Sequence, residues 1–526
     1  MMKDLVLTGG RVLSMDPAAP RADAVALRGG RVLAVGAEHE VLAAAAPGAR
    51  RVNVAGAVVL PGFHDAHVHL TDHGFALAQL ELYEAPTLEA ALELIATRAQ
   101  ALPPGELLEG VGFSLSRWSV PAVHRRSLDA VAPGRPVILR SQDLHSAWLN
   151  TQALELIGVP RHTPDPDGGT VVRDEAGEPT GLLLERATRL IEAGQPPRSA
   201  QTIREALSRA GADLAARGVT TVHHMAMDQP GCWREMASVA SRPGYPVRIW
   251  ACVNQEDVEH AAALGVATGH GGADFQVGGA KFFVDGALGS RTAWMLEPYA
   301  DGSGTGAVVH GPEVLAERIP AVIEAGFAPV VHAIGDAANR AAIDALQATR
   351  SRWQALGLRP RLEHAQHLTA ADSARVGAMQ LPVSVQPSHL VFDLRPIQEL
   401  LPDRQNEAYA FATLQANGAV LAMGSDAPIA RPDVLAGIRA ACTRTDAEGR
   451  ALNPAERLSV EAALAGYTRG AAFAIQREDR SGMLRAGFDA DVVLLSDAPD
   501  PAAEDPRVLA TIKDGAVTFS SGAFDL

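Results

Sequence analysis

The stretch Pro61 to Leu70, PGFHDAHVHL, gathers side chains that can bind a metal. An apolar run, Ala57 to Leu60, leads into it, Pro61-Gly62 cannot continue a helix, and His67-Val68-His69 follows in alternation. On a β-strand residues i and i+2 share a face, so His67 and His69 are expected to aim the same way. Two neutral imidazoles on one rigid strand, with the carboxylate of Asp65 close by, offer much of what a transition-metal ion takes from a protein. A lone His-x-His is just as well a pair of satisfied core histidines, and the rest of the chain has to decide between the two.

Further candidates stand in or at the ends of short apolar runs. Lys281 lies in VGGAKFFVDGALGSR, between Gly278-Gly279-Ala280 and Phe282-Phe283. A buried ammonium is costly unless it is neutralised or paired. Deprotonation followed by carbamylation with CO2 would turn Lys281 into a bridging anionic ligand, and an ion pair with a carboxylate such as Asp285 is the plainer solution. His332 ends the run VVH, His364 ends RLEH, and Asp426 follows Met423-Gly424-Ser425. One histidine at a strand end is usually a hydrogen-bonded core residue. Four histidines, a lysine and an aspartate, all in or at the ends of inferred strands, are harder to explain that way.

The elements that must bring them together repeat as strand, loop and helix. After the opening strand come Gly218 to His223, Pro246 to Trp250, Gly279 to Val284, Ala328 to His332, Arg361 to His364, Pro382 to Gln386 and Ala419 to Met423. Helical stretches are expected over Thr202 to Ala216, Glu313 to Ala325 and Ala337 to Thr349. Eight such strands make an α/β fold of the (β/α)8 TIM-barrel type, which delivers every strand's C-terminus to one rim.

The ends of the chain read as small β-structure. Leu5-Val6-Leu7 and Arg11-Val12-Leu13 flank Gly9-Gly10, and a near-copy surrounds Gly29-Gly30; both are hairpin signals. Asp514-Gly515 marks another turn near the C-terminus. Neither end has enough strands for a covered core, so residues 1–56 and 481–526 are expected to form one discontinuous β-sandwich. The barrel then spans 57–480 and carries an insertion over about 74–201, which breaks the strand–helix rhythm and is a candidate lid.

Composition narrows the classes. A chain of 526 residues, 47% hydrophobic and 20% charged, suits a soluble protein with a large domain and a smaller one. Its net charge of −15, without a basic stripe, argues against a nucleic-acid partner. No apolar run reaches membrane-spanning length, and the N-terminus does not read as a signal peptide. Cys232, Cys252 and Cys442 lack disulfide or metal-ligand spacing, so a cytoplasmic location is expected. The expected partner is a small-molecule substrate, and assembly into a homo-oligomer is left open.

At this point the sequence resembles the amidohydrolase superfamily, and within it the family 3 group that includes N-substituted formamide deformylases. The resemblance rests on PGFHDAHVHL, on DLHSAWLN at Asp143 to Asn150, and on KFFVDGALGSRTA at Lys281 to Ala293. It continues in VHAIGD at Val331 to Asp336, RLEHAQ at Arg361 to Gln366, SVQPSH at Ser384 to His389 and MGSDAP at Met423 to Pro428. It implies a barrel with a flanking β-sandwich and a site for one or two zinc ions or another divalent transition metal. His67 and His69 match first-strand ligands, Lys281 the carboxylated bridging lysine, His332 and His364 the fifth- and sixth-strand ligands, and Asp426 the eighth-strand aspartate. His224 stands where relatives often have aspartate, and His64 where they often have an apolar residue.

The activity so implied is hydrolysis of a C–N amide bond by metal-activated hydroxide, with Asp426 as the acid/base. The same chemistry on an ester, lactone or other C–O bond is an alternative, and so is a metal-free barrel that binds a ligand. His145 and Trp118, in the insertion, are candidates for the substrate pocket or for the insertion's own core. Asp285 and Arg291 are candidates for substrate contact or for a structural ion pair. His64 is expected to pack or to give outer support. Asp72, His73, His367 and His389 stay unassigned, and Phe392 to Tyr409 is expected to be a rim loop.

Overall fold

A computed structural model describes residues 4–120, 122–141, 146–166, 169–446 and 449–526. The chain divides into two compact units, one of Met1–Gly74 with Ile203–Leu526 and one of Phe75–Thr202.

The first unit is built on an eight-stranded parallel sheet. Its strands are β1 (Phe63–Val68), β2 (Val219–His224), β3 (Arg248–Asn254), β4 (Phe275–Phe283), β5 (Pro329–Ala333), β6 (Arg361–His364), β7 (Pro382–Val385) and β8 (Val420–Met423). Each pairs in parallel with the next, and nearly all their residues are buried, as in a sheet covered on both faces. These strands coincide with the eight apolar runs, and the sheet is that of a (β/α)8 TIM barrel. The ring closes just past the strand ends. The Asp426 N–H donates to the His67 carbonyl at 2.7 Å, and the His69 N–H donates to the Ala427 carbonyl at 2.8 Å. Helices Ala200–Ala216, Pro312–Glu324, Asp336–Ala348 and Ala370–Met379 lie between strands in sequence, Val434–Thr443 follows the last strand, and each buries one face.

The segment after β7 differs from its expectation. Phe392 to Tyr409 is expected to be a rim loop, but Pro387–Leu400 is a helix that buries Leu390, Leu394, Ile397 and Leu400. Burying that apolar stripe outweighs the one backbone hydrogen bond lost at Pro396.

Two further sheets use both ends of the chain. One has Arg21–Ala22, Arg11–Leu13, Val58–Pro61, Val492–Leu495, Val508–Lys513 and Ala516–Ser520 in that order, and the other has Arg31–Gly36, Ala24–Arg28, Leu5–Thr8 and Arg50–Asn53. Leu7, Val25, Val59, Val492, Leu494 and Ile512 share one core between them. Because Val58–Pro61 pairs with Val492–Leu495, the chain passes into the barrel at Gly62 rather than at residue 57.

The turns at Gly29-Gly30 and Asp514-Gly515 are hairpins. Gly9-Gly10 is not. Leu5–Thr8 and Arg11–Leu13 belong to different sheets, and Gly9, at φ +75°, turns the corner between them.

The second unit holds a six-stranded sheet, ordered Gly169–Arg173, Pro179–Glu185, Ser146–Leu149, Val137–Ser141, Leu108–Phe113 and Leu80–Glu81. Helix Leu88–Ala101, capped by the Thr87 hydroxyl, packs Ala91, Ile95 and Ala99 into a core with Phe113, Trp118 and Trp148. Among the described residues no helix is long and apolar enough to cross a membrane.

Candidate metal centre

The seam between β1 and β8 sets the site. Gly424 follows β8, where a Cβ would fall 2.4 Å from the His67 nitrogen, so only glycine lets the two chains approach this closely. Asp65 ties the seam together. Its carboxylate accepts the Ser425 N–H at 2.9 Å, the Ser425 hydroxyl, and the His67 N–H at 3.2 Å. Burial pushes its pKa up to about 6 against the pull of these bonds. Asp65 is therefore a clamp for the loop that carries Asp426.

Asp426 and His364 both adopt left-handed backbone, at φ 60° and 69°, directly after β8 and at the end of β6. Such conformations are uncommon for non-glycine residues and collect at functional sites. Here they turn Asp426 toward two histidines. Its Oδ1 lies 3.4 Å from His67 Nε2 and 3.3 Å from His69 Nε2, and as a buried oxygen it makes no hydrogen bond. His69 lies one residue beyond the end of β1, so strand alternation alone does not place it; its hydrogen bond to Ala427 does.

The other sequence candidates surround this pair. The His364 ring centroid is 4.7 Å from that of His67 and 4.4 Å from that of His332. Lys281 is 2% exposed, and its Nζ has no hydrogen-bond partner. The anticipated Lys281–Asp285 pair is absent. Asp285 instead accepts the backbone N–H groups of Trp294, Ile334 and Gly335, which fixes the loop after β5 and holds the carboxylate 3.5 Å from His332 Nε2. Burial lifts Asp285 to about 7, against those three amides.

Neighbouring groups decide which ring nitrogens are free. His67 Nδ1 lies 2.6 Å from Glu363 Oε2, and because a carboxylate only accepts, Nδ1 carries the proton and Nε2 presents a lone pair. His364 Nδ1 faces Gln386 Oε1 at 2.8 Å, with the same consequence. His332 Nε2 faces the Gly286 carbonyl at 3.1 Å, which leaves its Nδ1 free.

Burial, reinforced by the Lys281 charge, lowers His67 to about 4 and His332 to about 3, and burial takes His364 well below its usual range. All three rings are neutral ligand forms at physiological pH. Burial alone would raise Asp426, but the imidazoles of His67, His69, His364 and His389 outweigh it and hold the carboxyl well below the usual range. Burial also lowers Lys281, moving it toward a neutral amine. Lone pairs on neutral rings, an orphaned carboxylate oxygen and an unpaired amine in one buried place are donors without acceptors, and a divalent transition metal fits them.

A family profile described as "Amidohydrolase family" matches residues 50–519. The chain belongs to the amidohydrolase family. YtcJ of Bacillus subtilis, named as an amidohydrolase, is 34% identical over 512 residues, covering 95% of each chain. The N-substituted formamide deformylase of Arthrobacter pascens is 28% identical over 539 residues, covering 98% of each. A crystal structure of an uncharacterized metal-dependent hydrolase from Pyrococcus furiosus has a TM-score of 0.81 at 26% identity, covering 95% of this chain and 100% of that one. This amidohydrolase is a hydrolase of a metal-dependent family.

Trp118, Arg291 and His224 have partners of their own. Trp118 is 7% exposed in the core of the second unit, stacks with Phe113, and donates its indole N–H to the Ala85 carbonyl at 3.0 Å. Arg291 is half-exposed and pairs with Asp301 at 2.6 Å, the structural arrangement. His145 lies outside the described residues. His224 has both ring nitrogens engaged, Nδ1 accepting the Leu70 N–H and Nε2 meeting Asp228.

Glu363, Arg361 and Gln386 were not picked out from the sequence. Arg361 and Glu363 are both 0% exposed and form an ion pair. The chain of contacts continues from Arg361 to His223 Nδ1 at 2.9 Å, to His64 Nδ1 at 3.5 Å, and from His64 Nε2 to the Ser481 hydroxyl at 2.8 Å. An arginine and a glutamate two apart on a fully buried strand were the available signal. Facing the same way and fully buried, they must neutralise each other.

Proposed function

We propose that this amidohydrolase is a zinc-dependent enzyme that cleaves the C–N amide bond of a small N-substituted substrate, with N-formyl amines the first class to test. The observation that carries the reading is the buried, unbonded Asp426 Oδ1 flanked by His67 Nε2 and His69 Nε2. The match to the Arthrobacter deformylase along nearly the whole chain supports the bond type.

His67, His69, Lys281, His332, His364 and Asp426 would hold one or two ions. A bound divalent ion supplies hydroxide at neutral pH and polarises the scissile carbonyl. Asp426, ionised in this setting, accepts the proton of the attacking water at a carboxylate oxygen and delivers it to the leaving nitrogen, so the amine departs neutral. Glu363 and Gln386 keep the Nε2 lone pairs of His67 and His364 directed inward by accepting hydrogen bonds from their Nδ1–H groups. Lys281, as a neutral amine, would add CO2 at Nζ: an N–C bond forms, a C–O π pair moves onto oxygen, one proton leaves the nitrogen, and the neutral amine becomes an anionic carbamate ligand.

The test is hydrolysis of an N-formyl amine and a formate ester, sharing one acyl group, by the zinc-loaded protein with and without chelator. Chelator-sensitive cleavage of the amide is expected. Cleavage of the ester alone would shift the reading to a C–O bond, and no chelator-sensitive cleavage across an N-acyl and ester panel would leave the metal-free binding barrel.

A further inference from the structure

His389, in the first turn of helix Pro387–Leu400, is 8% exposed and has no place among the six residues above. Its Nε2 has no hydrogen-bond partner and lies 3.9 Å from Asp426 Oδ2. Its ring is nearly parallel to that of His364, at 15° and 6.4 Å between centroids. One ligand atom each from His364, His389 and Asp426 lie within 4.8 Å of one another, and the same holds for His67, His69 and Asp426.

Asp426 therefore stands between two sets of nitrogen donors, with Oδ1 toward His67 and His69 and Oδ2 toward His389. Ligand atoms about 2.0–2.2 Å from one tetrahedral ion are about 3.3–3.6 Å apart. The contacts at Oδ1, 3.3 and 3.4 Å, already have that spacing, and the 3.9 Å contact at Oδ2 needs only a small closure to reach it. A core histidine would use its ring nitrogen on a protein partner, whereas this one, 3.9 Å from the carboxylate, is beyond hydrogen-bond reach of it and has none.

We propose that His389 is a metal ligand, and that His364, His389 and Asp426 form a second cation position sharing Asp426 with the one at His67 and His69. The proposal rests on the metal-dependent reading above and adds to it a ligand from the segment after β7. Gln386 and His389 then act from the two sides of Pro387, the first orienting His364 and the second joining it at the ion.

The test is a zinc titration of the metal-stripped full-length protein against a chromophoric chelator, for wild type, His389→Ala and His389→Gln. Wild type is expected to take two ions. Both variants should keep one with wild-type affinity and bind the other about 100-fold more weakly or worse, since losing even an outer-shell partner costs 10–100-fold. His389→Cys loaded with cobalt(II) gives a second reading that does not depend on loss, because a ligating thiolate adds a charge-transfer band. Two ions bound as in wild type by the Ala and Gln variants, with no such band in the Cys variant, would overturn the assignment of His389. A wild type that takes one ion would overturn the second position. A wild type that takes none would overturn the metal-dependent reading as well.

Discussion

Nδ1 of His67 lies 2.6 Å from Oε2 of Glu363, and neither side chain is more than 1% exposed. Burial alone would raise Glu363, but Arg361 and His67 outweigh it and hold the carboxyl at about 2, so it is an anion at any working pH. A permanent acceptor at that position fixes the His67 tautomer before any ligand arrives.

Replacing Glu363 should separate its two tasks. Glu363→Gln removes the charge and is expected to weaken metal binding about 10–100-fold. Glu363→Ala also leaves Arg361 buried and unpaired, and should lower the stability of the metal-free protein by about 3–5 kcal/mol. Metal competition and equilibrium denaturation measure the two effects independently.

Asp426→Asn preserves an oxygen donor but cannot take a proton. The ion at His67 and His69 should stay bound through the amide oxygen while kcat falls by about 10²–10⁴-fold, the usual worth of a positioned acid/base. Retention of kcat would remove Asp426 from that role.

Lys281→Met replaces a buried amine that has no hydrogen-bond partner with an apolar chain of similar length. The fold should gain about 1–3 kcal/mol, because a desolvated polar atom without a partner is a cost. Metal binding and activity should fall together. A variant with unchanged metal affinity would show that the amine, carbamylated or not, is no ligand.

Acid should weaken the fold through His64. Burial first, then the Arg477 and Arg248 charges, lower its folded pKa to about 3 from 6.5. Between these values the unfolded chain binds a proton that the folded one does not, so stability rises with pH across this window and is lost as pH falls from 6.5 toward 3. The shift corresponds to up to about 5 kcal/mol at 1.36 kcal/mol per pKa unit. His64→Asn should flatten the pH dependence of the unfolding free energy there, and an unchanged slope would assign it to other groups.

The barrel was legible because each of its strands is a short apolar run, and a strand buried on both faces leaves that mark whatever its neighbours are. The corner at Gly9-Gly10 was not, since the same glycines serve a hairpin or a crossing between sheets and only the pairing partners differ. Glu363 and Gln386 escaped for a related reason. Each matters through a ring nitrogen on another strand, and sequence spacing does not say which nitrogen faces which oxygen. Arg291 drew attention as a guanidinium beside the lysine strand, but Asp301, ten residues on, already takes it.

The most direct measurement follows bound zinc and hydrolysis of an N-formyl amine in the same samples as metal-stripped protein is reloaded. If the side chains from His67 to Asp426 form a working metal centre, hydrolysis is absent at the start and rises in proportion to occupancy. Full hydrolysis by the stripped protein would contradict it.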